Sequence, residues 1–171
     1  MAILGIVKIA LKSIQEIEEQ INLELLIFVK RKDIIMEIRK STFDYSPSLI
    51  EYEGNYIRIN FDVEQIELAN GTDSNEGKKT TRMAYAAHVV RIEQPVERDK
   101  VIGAIVTSVY PTDKMQAIIN NHFANLAKIA DGKKLDSDDE EHEAEYNAMQ
   151  DWRTKAKAVA KDVLEEYIRT H

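Results

Sequence analysis

Between Tyr56 and Val63 the chain alternates: Ile57, Ile59, Phe61 and Val63 are apolar, while Arg58, Asn60 and Asp62 are polar. A period of two belongs to a β-strand with one buried and one wet face. The run continues less regularly to Leu68. A second strand is expected from about Arg82 to Glu93, where Met83, Tyr85, Ala87, Val89 and Arg91 share one parity. Between the two, Asn70 to Thr81 is a polar, glycine-bearing loop, across which the strands can pair antiparallel.

Upstream, Ile3, Ile6, Val7, Ala10, Ile14, Ile17 and Ile21 recur at steps of mostly three and four, with Glu16, Glu18 and Glu19 on the other side. That spacing predicts a helix over 1–22; its many β-branched residues leave an extended start as the competing reading. Leu23–Val29 and Ile34–Ile38 flank Lys30-Arg31-Lys32-Asp33 and read as a hairpin, with a continuous helix as the alternative. Residues 41–55 read as a loop, because Ser46-Pro47-Ser48 and Gly54-Asn55 are turn formers.

Beyond Gln94-Pro95 the period changes to that of helices. Val101, Ile102, Ile105, Val106 and Val109 form one apolar stripe, ended by Tyr110-Pro111, since a residue before proline is pushed out of helical geometry. Thr112 is expected to cap a second helix, with Asp113 in its first turn. Met115, Ile118, Ile119, Phe123, Leu126 and Ala130 follow as its apolar seam, and Asp131-Gly132 stops it. Ser137 and Glu140 have the spacing of a capping box at the head of a long last helix. That helix runs to about Arg169 along a seam of Met149, Trp152, Ala156, Val159, Val163 and Tyr167. The pattern predicts an α+β fold: a small antiparallel β-sheet in the N-terminal half, then a helical C-terminal half. The parts are 1–94 and 95–171, as two subdomains or one continuous domain.

Composition narrows the chemistry. The 171 residues are 44% hydrophobic and 31% charged, an ordinary globular balance. No cysteine is present, which removes thiolate metal sites, cysteine nucleophiles and disulfides. The net charge of −7 disfavours a nucleic-acid partner, and Lys30-Arg31-Lys32 is too short a basic run to offset it. The apolar start is interrupted by Lys8, lacks a basic region ahead of it, and falls short of the roughly 20 residues of a membrane span. Neither a signal peptide nor a membrane helix is expected.

Candidate sites are few. His88, His122, His142 and His171 have no second histidine at helical spacing, so no zinc-hydrolase pattern forms; His122 reads as a partly buried core residue. A calcium loop starting at Asp131 would put Lys133, Leu135 and Asp136 where two oxygen ligands and a glycine belong. Glycine-rich phosphate loops and a nucleophile elbow are missing. Carboxylate pairs such as Glu51/Glu53 and Asp62/Glu64 read as solvent-facing charges. Catalytic residues, metals and cofactors are therefore all expected to be none. The residues singled out as an interface are Met149, Trp152 and Tyr167, since tryptophan anchors concentrate binding energy. The competing reading packs Trp152 against the helix over 112–130.

The C-terminal half carries Tyr110-Pro111-Thr112-Asp113, Ala117-Ile118-Ile119-Asn120-Asn121, Glu145-Tyr146-Asn147, Gln150-Asp151-Trp152-Arg153 and Ala156-Lys157. Over about 96–165 this resembles short helical segments in uncharacterised phage and prophage proteins of gut Bacteroidetes, including crAss-like phages. The resemblance implies a non-enzymatic virion structural or assembly protein, made in the bacterial cytoplasm and carried in the virion. Its partners would be other virion proteins or itself as a homo-oligomer. The alternative is a small cytoplasmic regulator or inhibitor that binds a host factor.

Overall fold

The computed structural model describes residues 40–69 and 81–170, with the single positions Lys12, Gln15 and Ile17. The expected helix over 1–22 lies outside the described residues but for those three positions. The expected hairpin over 23–38 and the loop up to residue 80 lie outside them as well.

Four antiparallel strands, β1 (Ser41–Phe43), β2 (Ile50–Glu53), β3 (Tyr56–Ala69) and β4 (Thr81–Glu93), form one sheet in the order β1-β4-β3-β2. Three helices follow: α1 (Arg98–Thr107), α2 (Thr112–Ala130) and α3 (Ser137–Thr170). The α+β class is thus as expected. The segment 41–55 is not wholly a loop, because it holds the two short edge strands. Gly54, at φ 64°, takes the left-handed turn between β2 and β3 that glycine makes without steric cost.

Two expectations about the strands fail, each for its own reason. The register pairs Ile57 with Ile92, Ile59 with Val90 and Phe61 with His88. The even positions of β4 therefore face the core: Ala84, Ala86, His88, Val90 and Ile92 are buried, while Met83 is 52% exposed. Apolar residues occupy both parities of β4, so alternation alone could not choose between them. On β3, Val63 is exposed, because the alternation breaks just before it.

By compactness, the described residues within 38–119 and 149–171 form one unit, and the described residues 120–148 belong to another. The division runs across α2 and α3. In the first unit, one sheet face is apolar (Ile50, Ile57, Ile59, Phe61, Val90, Ile92), and its core also holds Val101, Ile105 and Val106 of α1. The seam of α3 supplies Met149, Trp152, Ala156, Val159 and Val163, all buried. The opposite sheet face is polar: Arg58 ion-pairs with Glu51 and Glu53, and Arg91 with Glu53 at 2.8 Å. Met115 N–H donates to Pro111 O at 2.9 Å, so Thr112 is the first helical residue and Pro111 holds the cap position.

In the second unit, α2 ends at Gly132, φ 73°. There Lys133 N–H reaches Lys128 O at 3.0 Å and Gly132 N–H reaches Ile129 O at 2.9 Å, the paired bonds of a glycine C-cap. The helix α3 is capped one residue earlier than expected. Asp136 Oδ1 accepts from the amides of Asp138 (3.1 Å) and Asp139 (3.0 Å), and Asp139 Oδ2 accepts from Asp136 N–H at 3.2 Å. The expected seam of α2 also fails in this unit, where Phe123, Leu126 and Ala130 are exposed. Its inward face is polar instead. His122 Nδ1 meets Glu143 at 2.9 Å, and buried Asn125 donates to Asp139 O (2.8 Å) and Glu143 Oε1 (3.1 Å). Lys128 Nζ bonds Asp139 at 2.6 Å. Buried polar groups partnered in this way cost little.

Candidate interaction site at the β3–β4 ribbon

The strands β3 and β4 are 14 and 13 residues long, but their neighbours are 4 and 3. The strand β2 covers only Tyr56–Ile59 of β3, and β1 covers only Tyr85–Ala87 of β4. From Gln65↔Tyr85 to Ala69↔Thr81 the two long strands continue as a ribbon. Among the described residues, no strand pairs with the outer edge of Glu64–Ala69 or of Thr81–Ala84. Unpaired edges present rows of free N–H and C=O groups, a template for another strand. The register puts Ile66 and Leu68 on one face, opposite Ala84 and Arg82, and Met83 and Tyr85 on the other. Charges guard the ribbon: Glu64 and Glu67 lie on β3, and Arg82 ion-pairs with Asp44.

At the ribbon's base is a β-bulge. Phe61 pairs with His88 and Glu64 with Ala86, so Asp62 and Val63 together oppose Ala87. Asp62 sits at φ 52°, a left-handed conformation that aspartate tolerates better than most side chains. A bulge bends its strand and increases the local twist, and so sets the direction in which the ribbon leaves the sheet.

Charges and rings hold the bulge. Lys155 of α3 ion-pairs with Asp62 Oδ2. Lys40 Nζ donates to Asp62 O at 3.4 Å and pairs with Glu64 at 2.9 Å. His88 Nε2 lies 3.8 Å from Asp62 Oδ2, beyond hydrogen-bond reach. The imidazole is 5.3 Å from the Phe61 ring and meets the Trp152 indole edge-on at 5.4 Å and 86°. Lys155 Nζ lies 5.7 Å from the Trp152 ring. Burial holds the His88 pKa below the ordinary 6.5; the Asp62 carboxylate opposes that shift, and the charges of Lys40 and Lys155 add to it. His88 Nδ1 is buried and has no hydrogen-bond partner among the described residues.

The interface expected at Met149 and Trp152 is not on the surface of this unit. Met149 is 0% and Trp152 1% exposed. The Trp152 indole N–H donates to Ile105 O of α1 at 2.9 Å, and its ring packs on Phe61 and His88. Tyr167 is partly exposed near the end of α3. The bulge was missed because Phe61-Asp62-Val63-Glu64 holds no glycine to flag it, although the two strands were expected to pair out to Leu68 and Arg82. The available signal was the loss of alternation at Glu64-Gln65-Ile66.

Other features carry less chemistry. A shallow groove of ≈ 440 Å³ has Ile102, Val106, Met115 and Ile119 along it and Arg153 beside it. Among the described residues no three His, Asp or Glu side chains converge as a metal site, and no helix is long and apolar enough to cross a membrane. Comparison with protein-family models, curated proteins and solved structures finds no match.

Proposed function

We propose that the chain is a non-enzymatic structural or assembly protein of a phage virion, acting through protein–protein contacts made by the β3–β4 ribbon. Its partners are further copies of itself and other virion proteins, and it is made in the bacterial cytoplasm and carried in the particle. One observation supports this reading: the two central strands outrun their neighbours, and among the described residues no strand pairs with the outer edges of the overhang. A two-stranded ribbon alone is marginal in water. A strand added to its edge would satisfy the free backbone groups, while Ile66, Leu68 and Met83 supply side-chain selectivity. The phage context rests on the resemblance of the C-terminal helical segments.

Light scattering across a concentration series tests the reading. The wild type is expected to rise from the chain mass of 19.6 kDa to a defined multiple. The Ile66→Glu/Leu68→Glu variant and, separately, Met83→Lys are expected to stay at the chain mass with unchanged far-UV circular dichroism. A wild type that stays monomeric at every concentration, or variants that assemble as it does, would overturn the proposal.

A further inference from the structure

We propose that the cluster at the base of the ribbon is a proton-operated clamp, in which protonation of His88 takes Asp62 away from Lys155 and loosens the bulge. This rests on the geometry of the base and stands whether or not the ribbon docks a partner.

Two cationic groups address one oxygen. Lys155 holds Asp62 Oδ2, and His88 Nε2 waits 3.8 Å from that same atom. With His88 neutral, Lys155 is the better partner and braces α3 to β3. The His88 side chain is 8% exposed, whereas that of Lys155 is 39% exposed. A buried imidazolium must find a counter-charge, while a lysine with a path to solvent can give one up. The charged groups facing the ring are Asp62 and Glu64 on β3, Lys40 ahead of β1, and Lys155 on α3. Glu64 is already paired with Lys40, so Asp62 is the carboxylate nearest to hand. Once protonated, His88 and Lys155 repel each other beside one carboxylate. The exchange also removes the Lys155 brace from Asp62, whose left-handed backbone is kept only while its surroundings over-determine it.

The molecule carries its own reporter. Trp152 is the only tryptophan and touches the His88 ring edge-on. Its fluorescence is to be followed from pH 8 to 4 in dilute, monomeric protein, with circular dichroism and amide exchange in parallel. The wild type is expected to show a reversible fluorescence transition below pH 6.5 at constant far-UV circular dichroism. In step with it, exchange of Thr81–Tyr85, corrected for intrinsic pH dependence, should rise severalfold. His88→Gln is expected to abolish both changes. Lys155→Met, in case His88→Gln fails to fold, should keep the fluorescence transition but show open, pH-independent exchange of the ribbon already at pH 7. A transition that persists in His88→Gln, ribbon exchange that ignores the His88 titration, or wild-type exchange in Lys155→Met would each overturn the clamp.

Discussion

Asp62 and Asp136 show how single carboxylates place whole elements here. Asp136 takes two free amides at the head of α3, and its removal by Asp136→Ala should cost about 1 kcal/mol in urea unfolding. Ser137→Ala should stay within about 0.5 kcal/mol, since the serine is not the cap. Asp136-x-x-Asp139 and Ser137-x-x-Glu140 overlap in the sequence with the same spacing, so the pattern alone could not choose between them. What decides is Lys128, which bonds Asp139 from α2. The Lys128 hydrogen bond and the Asp136 amide hold the Asp139 carboxyl below its ordinary 3.8. That stability is present above the ordinary value and is lost as pH falls through the depressed one. Asp139→Asn should erase this acid limb of the stability–pH curve. Trp152 was open in the sequence to two readings, interface anchor and core residue, and it is buried in the core. Its sequence position on a helical seam is equally that of an anchor and of a core residue, and only its partners Phe61, His88 and Ile105 O settle the matter. Trp152→Ala should destabilise by about 3–5 kcal/mol, as for a large core truncation.

For single elements, the ribbon depends on the bulge. Without the extra residue, Val63 would continue the buried parity of Ile57, Ile59 and Phe61; with it, Val63 is 39% exposed. Val63→Thr should therefore change the unfolding free energy by less than about 0.5 kcal/mol. Ile59→Val, two pairs earlier in the same strand, should cost about 0.5–1.5 kcal/mol. Alternation made the first half of β3 legible. It failed beyond Phe61 because a bulge without glycine leaves no compositional mark, and it failed on β4 because Ala84, Ala86 and Ala87 are apolar on both faces. The short strands β1 and β2 were hidden by the turn formers beside them. The helices were legible in extent, but the polar lining of α2 was not. His122, Asn125 and Lys128 look like a surface until Glu143 and Asp139 are placed opposite them.

In the molecule as a whole, the α+β class followed from one change of period near Gln94-Pro95. Which surface acts did not, because a ribbon's free edge is a property of its neighbours' lengths and of no residue in it. His88 ties global stability to pH. Its folded pKa lies below its unfolded one, so the unfolded chain binds the extra proton in the window between them. Stability is then full above about pH 6.5 and falls as pH drops through the folded value. Urea midpoints from pH 7 to 5 should decline in the wild type and be flatter in His88→Gln. The ribbon as docking element is tested most directly by hydrogen–deuterium exchange of the wild type at low and high protein concentration. The account predicts added protection at Glu64–Ala69 and Thr81–Tyr85 on association. Association that leaves these amides unchanged and protects another surface would contradict it.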